Sequence, residues 1–350
     1  MSLPDFDVVD PHMHLFDVAN KHRPATYRSV QLFGWSERVL RFMMKYLGPQ
    51  DALAYFGERT DMLRDYLPAS FRADSRSSRV KRYVHIQVVW EDHTPLAPVG
   101  ETRWLEQLED GPAAMVAFAD LLLGQDVAEV LNAHIDASDR VRGIRHMIAW
   151  HEKNGIMNFA HEPEISRSSE FRSGFEQLAA HNLSFDAWCF GDQISEVREL
   201  AASCPEVPVV LCHTGTPVGF GGEFQGIGSS KSERESIASK WRDDISALAE
   251  QPQVMCKISG LLMPAMGFGY EKSDASPSVA ELTDRLSPLV THCIDAFTPE
   301  RCMIASNFPV DRVSADYETV TRAMFGITSE YGEAAQRSLF ADTAAKFYRL

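Results

Sequence analysis

The chain is short of positive charge. Against 34 lysines and arginines it carries 49 aspartates and glutamates, a formal net charge of -15 over 350 residues. Such a surface repels phosphate, which argues against nucleic acid or an anionic membrane as partner and points to a small-molecule substrate. Paired cysteines are lacking as well. Cys189, Cys204, Cys212, Cys256, Cys293 and Cys302 are scattered without a Cys-x-x-Cys spacing, so no disulfide framework is expected, and free thiols in a reducing cytoplasm fit the pattern. No apolar run is long enough to span a bilayer, since the best candidate, Pro112 to Leu123, is interrupted by Asp120. The acidic start Met-Ser-Leu-Pro-Asp-Phe-Asp has no basic stretch before an apolar one, so no signal peptide is expected. Neither an internal repeat nor a linker composition divides the sequence. A single domain over residues 1–350 is the expectation, with self-association left open.

What is present is regular. With 45% apolar and 10% aromatic residues the chain can bury a large core. Eight short runs rich in β-branched and apolar residues recur: Asp7 to His14, Arg82 to Val89, Ala113 to Asp120, Val141 to Ile148, Leu183 to Phe190, Val207 to Thr214, Gln253 to Gly260 and Cys302 to Pro309. Between them lie segments with helical spacing, Gly100 to Leu108, Val127 to Ile135, Phe171 to His181, Gln193 to Ser203, Ser232 to Glu250 and Ser278 to Phe297, the last opening on a Ser-x-x-Glu capping box. Nearly continuous apolar strands alternating with amphipathic helices predict parallel strands buried on both faces, and eight such units predict a closed (β/α)8 TIM barrel. Three interruptions follow strands: a helical insertion over about residues 20–80, a glycine- and serine-rich loop at 215–232, and a Met/Gly/Pro loop at 261–277. In such a barrel all three overhang the C-terminal face, where sites in this fold sit.

The polar residues at the strand ends carry the functional signal. In Asp10-Pro11-His12-Met13-His14 the two histidines are one residue apart at the end of a buried run, so they share a face and converge. Two close imidazoles repel as cations, and a neutral pair around a divalent metal resolves the conflict. Strand two adds His85 and Gln87, strand four Arg145 and His146, strand five Asp186 and Trp188, strand six His213 and strand eight Asn307. Buried polar groups need partners, and this many at one end of a fold points to a site.

Together with Val-His-Ile-Gln in strand two, Gly143-Ile144-Arg145, Leu183-Ser184-Phe185-Asp186, Cys212-His213-Thr214-Gly215-Thr216-Pro217, Cys256-Lys257-Ile258-Ser259-Gly260, Ser306-Asn307-Phe308-Pro309 and the closing segment Leu339 to Tyr348, the start of the chain resembles successive blocks of the amidohydrolase superfamily. More narrowly it resembles the amidohydrolase-2 group of metal-dependent TIM-barrel hydrolases, which includes sugar-acid and dicarboxylate lactonases. The resemblance runs from residue 7 to residue 350 apart from the insertions. It implies a divalent metal, usually zinc, at His12, His14 and His213, and a strand-eight carboxylate as proton acceptor. Asn307 stands at that last position. An amide neither accepts a proton near neutral pH nor ligates as well as a carboxylate, so a metal-independent mechanism stays open, and Asp311, four residues on, is the candidate that supplies the missing group.

The remaining roles follow from residue chemistry. Arg145, a planar fork of donors, can hold a substrate carboxylate or an oxyanion, or form a salt bridge with Asp186, the second candidate base. His85, Gln87, His146 and Trp188 are candidate substrate contacts, as is Lys257, which can meet an anionic group or the carboxylates at the barrel centre. Asp10 is read as orienting a ligand histidine or packing deeper, and Gly215 and Pro217 as shaping a turn. The expected reaction is the opening of a small cyclic ester by activated water. The alternatives are a metal-dependent decarboxylase of an aromatic acid on the same fold, and a barrel that only binds a small acid.

Overall fold

Each of the eight apolar runs forms a parallel strand because both of its faces are buried. In the computed structural model, which describes residues 3–350 apart from 19, 24–35, 37, 40, 41, 43–45, 47–49, 57–62, 92, 93, 95 and 274, β1 (Val8–Met13), β2 (Val80–Ile86), β3 (Ala114–Ala117), β4 (Val141–Ile144), β5 (Ser184–Ala187), β6 (Val209–Leu211), β7 (Val254–Ile258) and β8 (Cys302–Ile304) lie in sequence order within one sheet. Every neighbouring pair is parallel. The sheet closes on itself just beyond β8: Met13 bridges Phe308, His14 N donates to Phe308 O at 2.8 Å, and Asn307 N donates to His12 O at 2.8 Å. The seam that closes the barrel is therefore built from the residues that carry His12, His14 and Asn307.

The ladders are shorter than the apolar runs. After β4, β5 and β8 the chain still bonds its neighbours, with Arg145 N on Ala117 O, Ile148 N on Trp188 O and Ala305 N on Ile258 O, but it curls away from strand geometry. This flare turns the polar side chains of each run over the C-terminal mouth.

Helices cover the outside. They are α1 (Gln50–Phe56), α2 (Pro68–Asp74), α3 (Val99–Glu106), α4 (Val127–Ala137), α5 (Ser169–Ala180), α6 (Ile194–Ser203), α7 (Lys231–Ala249), α8 (Val279–Phe297) and α9 (Tyr317–Ile327). Their starts are written in the sequence. Ser168, Ser230, Ser278 and Asp316 each accept the backbone N–H three residues on, which satisfies a donor the helix cannot pair itself. Of the expected insertion at 20–80, α1 and α2 are described and much of the rest lies outside the described residues. Phe71 of α2 is buried between Tyr83 (4.8 Å) and Tyr317 (5.9 Å). The loops at 215–232 and 261–277 bond each other through Gly219 N to Ala265 O (2.9 Å) and Gly221 N to Met266 O (2.8 Å). Among the described residues no helix is long and apolar enough to cross a membrane.

Candidate active site

Three histidine rings gather at the mouth. His12 lies 5.0 Å from His14 and 4.4 Å from His213 between ring centroids. His12 is fully buried, and neither of its ring nitrogens has a hydrogen-bond partner. Its backbone is held by Asp10, whose Oδ1 accepts from His12 N (3.2 Å) and Ser306 N (3.1 Å) while Oδ2 accepts from Tyr317 Oη (2.8 Å). The carboxylate read as orienting a ligand histidine thus acts on that histidine's main chain.

His14 is fixed through one nitrogen. Nδ1 donates to Ile86 O at 2.8 Å, so in the neutral ring Nε2 carries the lone pair, and it faces Asn307 Oδ1 at 3.4 Å. The amide is turned this way because Asn307 Nδ2 donates to Asp311 Oδ1 at 2.8 Å. Two acceptors then face one another, an arrangement that a cation between them satisfies.

His213 reaches the cluster through a left-handed turn, with φ of 55° at His213, 53° at Thr214 and 37° at Thr216. A Cβ at Gly260 would stand 2.5 Å from His213 Nδ1, so glycine there leaves room for the ring. That nitrogen lies 2.8 Å from Ser259 Oγ. Burial holds all three imidazoles well below their ordinary pKa, and neighbouring positive charge adds to it: His213, Lys257, His14 and Arg145 for His12, Arg145 and His85 for His14, Arg145, His14 and Lys257 for His213. The rings are neutral near pH 7, which is the ligating form.

Asp311 places a buried carboxylate beside Asn307. It sits on the turn Val310–Val313 and is buried, accepting from Asn307 Nδ2 and from Leu262 N at 3.2 Å. Burial pushes its pKa up to about 7 against the lowering effect of these two bonds. A carboxyl in that range exchanges protons at neutral pH.

Near the histidines lies a buried ion pair. Asp186 is engaged by Lys257 Nζ at 2.6 Å and by Tyr348 Oη at 2.8 Å; of the two cations the sequence offered to the barrel carboxylates, Lys257 takes it and Arg145 does not. Tyr348 Oη also accepts from Lys257 Nζ at 2.7 Å. The reason is topological: β5 and β7 bring Asp186 and Lys257 to one level of the barrel interior, while Arg145 is drawn aside. Arg145 Nη2 donates to Gln87 O at 2.7 Å, its Cζ lies 5.8 Å from the Trp188 ring, and its Nε is buried without a partner. His12, Asp186 and Cys212 offer ligand atoms within 4.8 Å of one another. Among the described residues this is the set whose ligand atoms lie that close, and its Asp186 carboxylate is already held by Lys257 Nζ at 2.6 Å.

The other expected contacts divide. Trp188 belongs to the site: its Nε1 donates to Thr216 Oγ1 (3.1 Å) and its ring faces His213 at 5.9 Å. Gln87 lends its carbonyl to Arg145, and its own Nε2 is buried without a partner. His85 accepts from Leu15 N at 3.0 Å through Nδ1 and places Nε2 3.6 Å from Glu101 of α3, which also holds Arg23 at 3.1 Å. Its contacts brace the end of β1. His146 packs on Phe171 of α5 (5.2 Å) and accepts from Leu121 N (3.2 Å). Strand alternation sends it outward where Arg145 goes inward. Sequence reading missed Tyr348, Glu101 and Ser259. Tyr348 stood in a recognised block, but nothing in its spacing marked a hydroxyl aimed into the barrel.

Comparison with known proteins agrees with the fold. A model of the amidohydrolase family matches residues 9–350. The chain belongs to the amidohydrolase family. It is 31% identical over 99% of its length to an uncharacterised protein of Sinorhizobium fredii, all of which is covered. It is 27% identical to an L-fucono-1,5-lactonase of Burkholderia multivorans, covering 83% of this chain and 88% of that one. Among solved structures, an amidohydrolase from Burkholderia multivorans with bound zinc superposes with a TM-score of 0.71 at 22% identity, covering 99% of this chain and all of that one. A 2,6-dihydroxybenzoate decarboxylase shares the fold at a TM-score of 0.55 and 11% identity, covering 98% and 99%. Membership of the amidohydrolase family makes the protein an enzyme of that superfamily.

Proposed function

We propose that this amidohydrolase opens a small cyclic ester by attack of water on the ester carbonyl. The observation that carries the reading is the buried Asp311 carboxyl, hydrogen-bonded through Asn307 to the edge of the three-histidine cluster. Asp311 takes the proton of the attacking water, and the O–H bond breaks as the new C–O bond forms. Arg145, with its buried Nε unpartnered, holds the oxyanion that develops on the carbonyl oxygen. When the ring C–O bond breaks, Asp311 returns its proton to the leaving alkoxide, and the product is a hydroxy acid. Asp186, tied to Lys257 and Tyr348, sets the charge of the floor and takes no proton in this scheme.

His12, His14 and His213 would hold a divalent ion, with Asn307 Oδ1 facing the same space. The unpartnered nitrogens of His12 and the opposed lone pairs of His14 and Asn307 fit such an ion, and the zinc in the Burkholderia structure supports zinc as its identity. Bound there, it would polarise the carbonyl and lower the pKa of water.

Support for a cyclic ester comes from the lactonases named among the relatives at 26% and 27% identity. A panel of lactones read with a pH indicator, alongside metal analysis of protein purified without chelator, tests the proposal. Acid release from a lactone, abolished in Asp311→Asn, is the expected result. Carbon dioxide release from a hydroxybenzoate, with no acid from any lactone, would replace hydrolysis with decarboxylation. Stoichiometric binding of a small acid with no turnover would leave a binding barrel.

A further inference from the structure

His12 belongs to two ligand sets at once. With His14 and His213 it forms the cluster at the mouth, their ring centroids 5.0 and 4.4 Å from its own. With Asp186 and Cys212 it forms a second set, whose ligand atoms all lie within 4.8 Å of one another. Asp186 lies inside β5, whereas His14, His213 and Asn307 stand past the ends of β1, β6 and β8. A neutral imidazole has a single lone pair, so His12 serves an ion at one set or at the other.

Donor chemistry by itself favours the second set. A carboxylate and a thiolate attract a divalent ion more strongly than two further neutral imidazoles do, and metal binding releases the thiol proton to solvent. What stands against this is Lys257. Its Nζ donates to Asp186 Oδ2 at 2.6 Å and to Tyr348 Oη at 2.7 Å, and Tyr348 Oη donates to the same Oδ2 at 2.8 Å. Cys212 Sγ lies 3.7 Å from that oxygen. Lysine and aspartate are both fully buried, where screening is weak. An ion at the histidines meets an ammonium already paired with its carboxylate, but an ion on Asp186 would have to take that carboxylate from the ammonium and leave the charge uncompensated. Arg145 bears on His12 and on Cys212 alike and favours neither set.

We infer that Lys257 is a positioning residue for the ion: as a built-in cation it occupies Asp186, closes the set of His12, Asp186 and Cys212 to metal, and leaves His12 to the three-histidine site. The inference rests on the three-histidine ion proposed above and is independent of the ester chemistry. Removing the charge moves the ion onto Asp186 and Cys212. A lysine with a merely structural role would alter stability and leave the ligands of the ion as they are.

Cobalt(II) is the probe, because a thiolate bound to it gives an intense near-ultraviolet charge-transfer band that imidazole ligands do not give. Metal-depleted protein is loaded with cobalt and followed by absorbance and metal analysis, with melting temperatures to verify folding. Wild type should hold about one cobalt per chain without the band, and Lys257→Met about one with it. Adding Cys212→Ser to Lys257→Met should remove the band, and Tyr348→Phe, which loosens Asp186 but keeps the ammonium, should show none. A band in wild type or in Tyr348→Phe, a band that survives Cys212→Ser, or no band in folded Lys257→Met overturns the assignment. If Lys257→Met does not fold, Lys257→Gln, which keeps a donor for Asp186 without the charge, is read in its place by the same criteria. If wild type takes up no cobalt, the three-histidine reading fails on its own, and Lys257→Met still decides the lysine: a band upholds its closure of the Asp186 set, and no band removes it.

Discussion

His134 and His12 are equally buried, each 0% exposed, yet one is finished and the other is not. His134, on α4, donates from Nε2 to Phe118 O at 2.9 Å and accepts from Thr102 Oγ1 at 2.8 Å, so both nitrogens are satisfied in the neutral ring. His12 has neither nitrogen satisfied. Leaving a buried polar atom unpaired costs roughly 1–3 kcal/mol, so two such nitrogens on one ring carry a cost that His134 does not. Burial does not mark a functional histidine. What sets His12 apart is that both of its ring nitrogens are unmet.

The contrast can be broken or sharpened by experiment. The largest effect is expected for His12→Ala, which should lose at least about 10^3-fold in kcat/KM and its bound divalent metal while keeping its melting temperature. A folded variant with full metal and full activity would break the comparison. Asp311→Asn should lower kcat about 10^2- to 10^3-fold with metal content unchanged, measured by metal analysis beside steady-state rates. His134 carries the opposite kind of consequence. Burial depresses its pKa to about 4, so the folded state favours the neutral ring. Its contribution is fully present above the unfolded value near 6.5 and is lost as pH falls toward 4, a change of about 3 kcal/mol read from denaturant melts across that window. His134→Ala should flatten that pH dependence, lower stability by about 2 kcal/mol at pH 7 and leave kcat unchanged. A loss of activity without a loss of stability would erase the distinction between the two histidines.

Much of the fold was legible because its signal is local. Eight apolar runs became eight strands in the same order, and the capping box read at Ser278 became the cap of α8. The histidine cluster was legible for the same reason: alternation aims His12 and His14 together, and the run before His213 ends at the same rim. His146 was misjudged because polarity at a strand end was weighed without asking which face the residue takes. The partner of Asp186 stayed open between Arg145 and Lys257 because residue types alone do not rank two cations that reach the barrel interior. Tyr348, 162 residues away from Asp186, enters only when the C-terminal segment folds against the barrel.

By itself, then, the sequence determined the number and order of the strands, the residue types at their ends and the acidic surface, because hydrophobic periodicity and charge are properties of neighbours along a chain. Tertiary structure alone decided that Lys257 and Tyr348 take Asp186, that Glu101 braces His85, and that His12 is left without a partner. A polar group is satisfied by whatever lies within about 3 Å of it, and that distance is set by how remote segments pack.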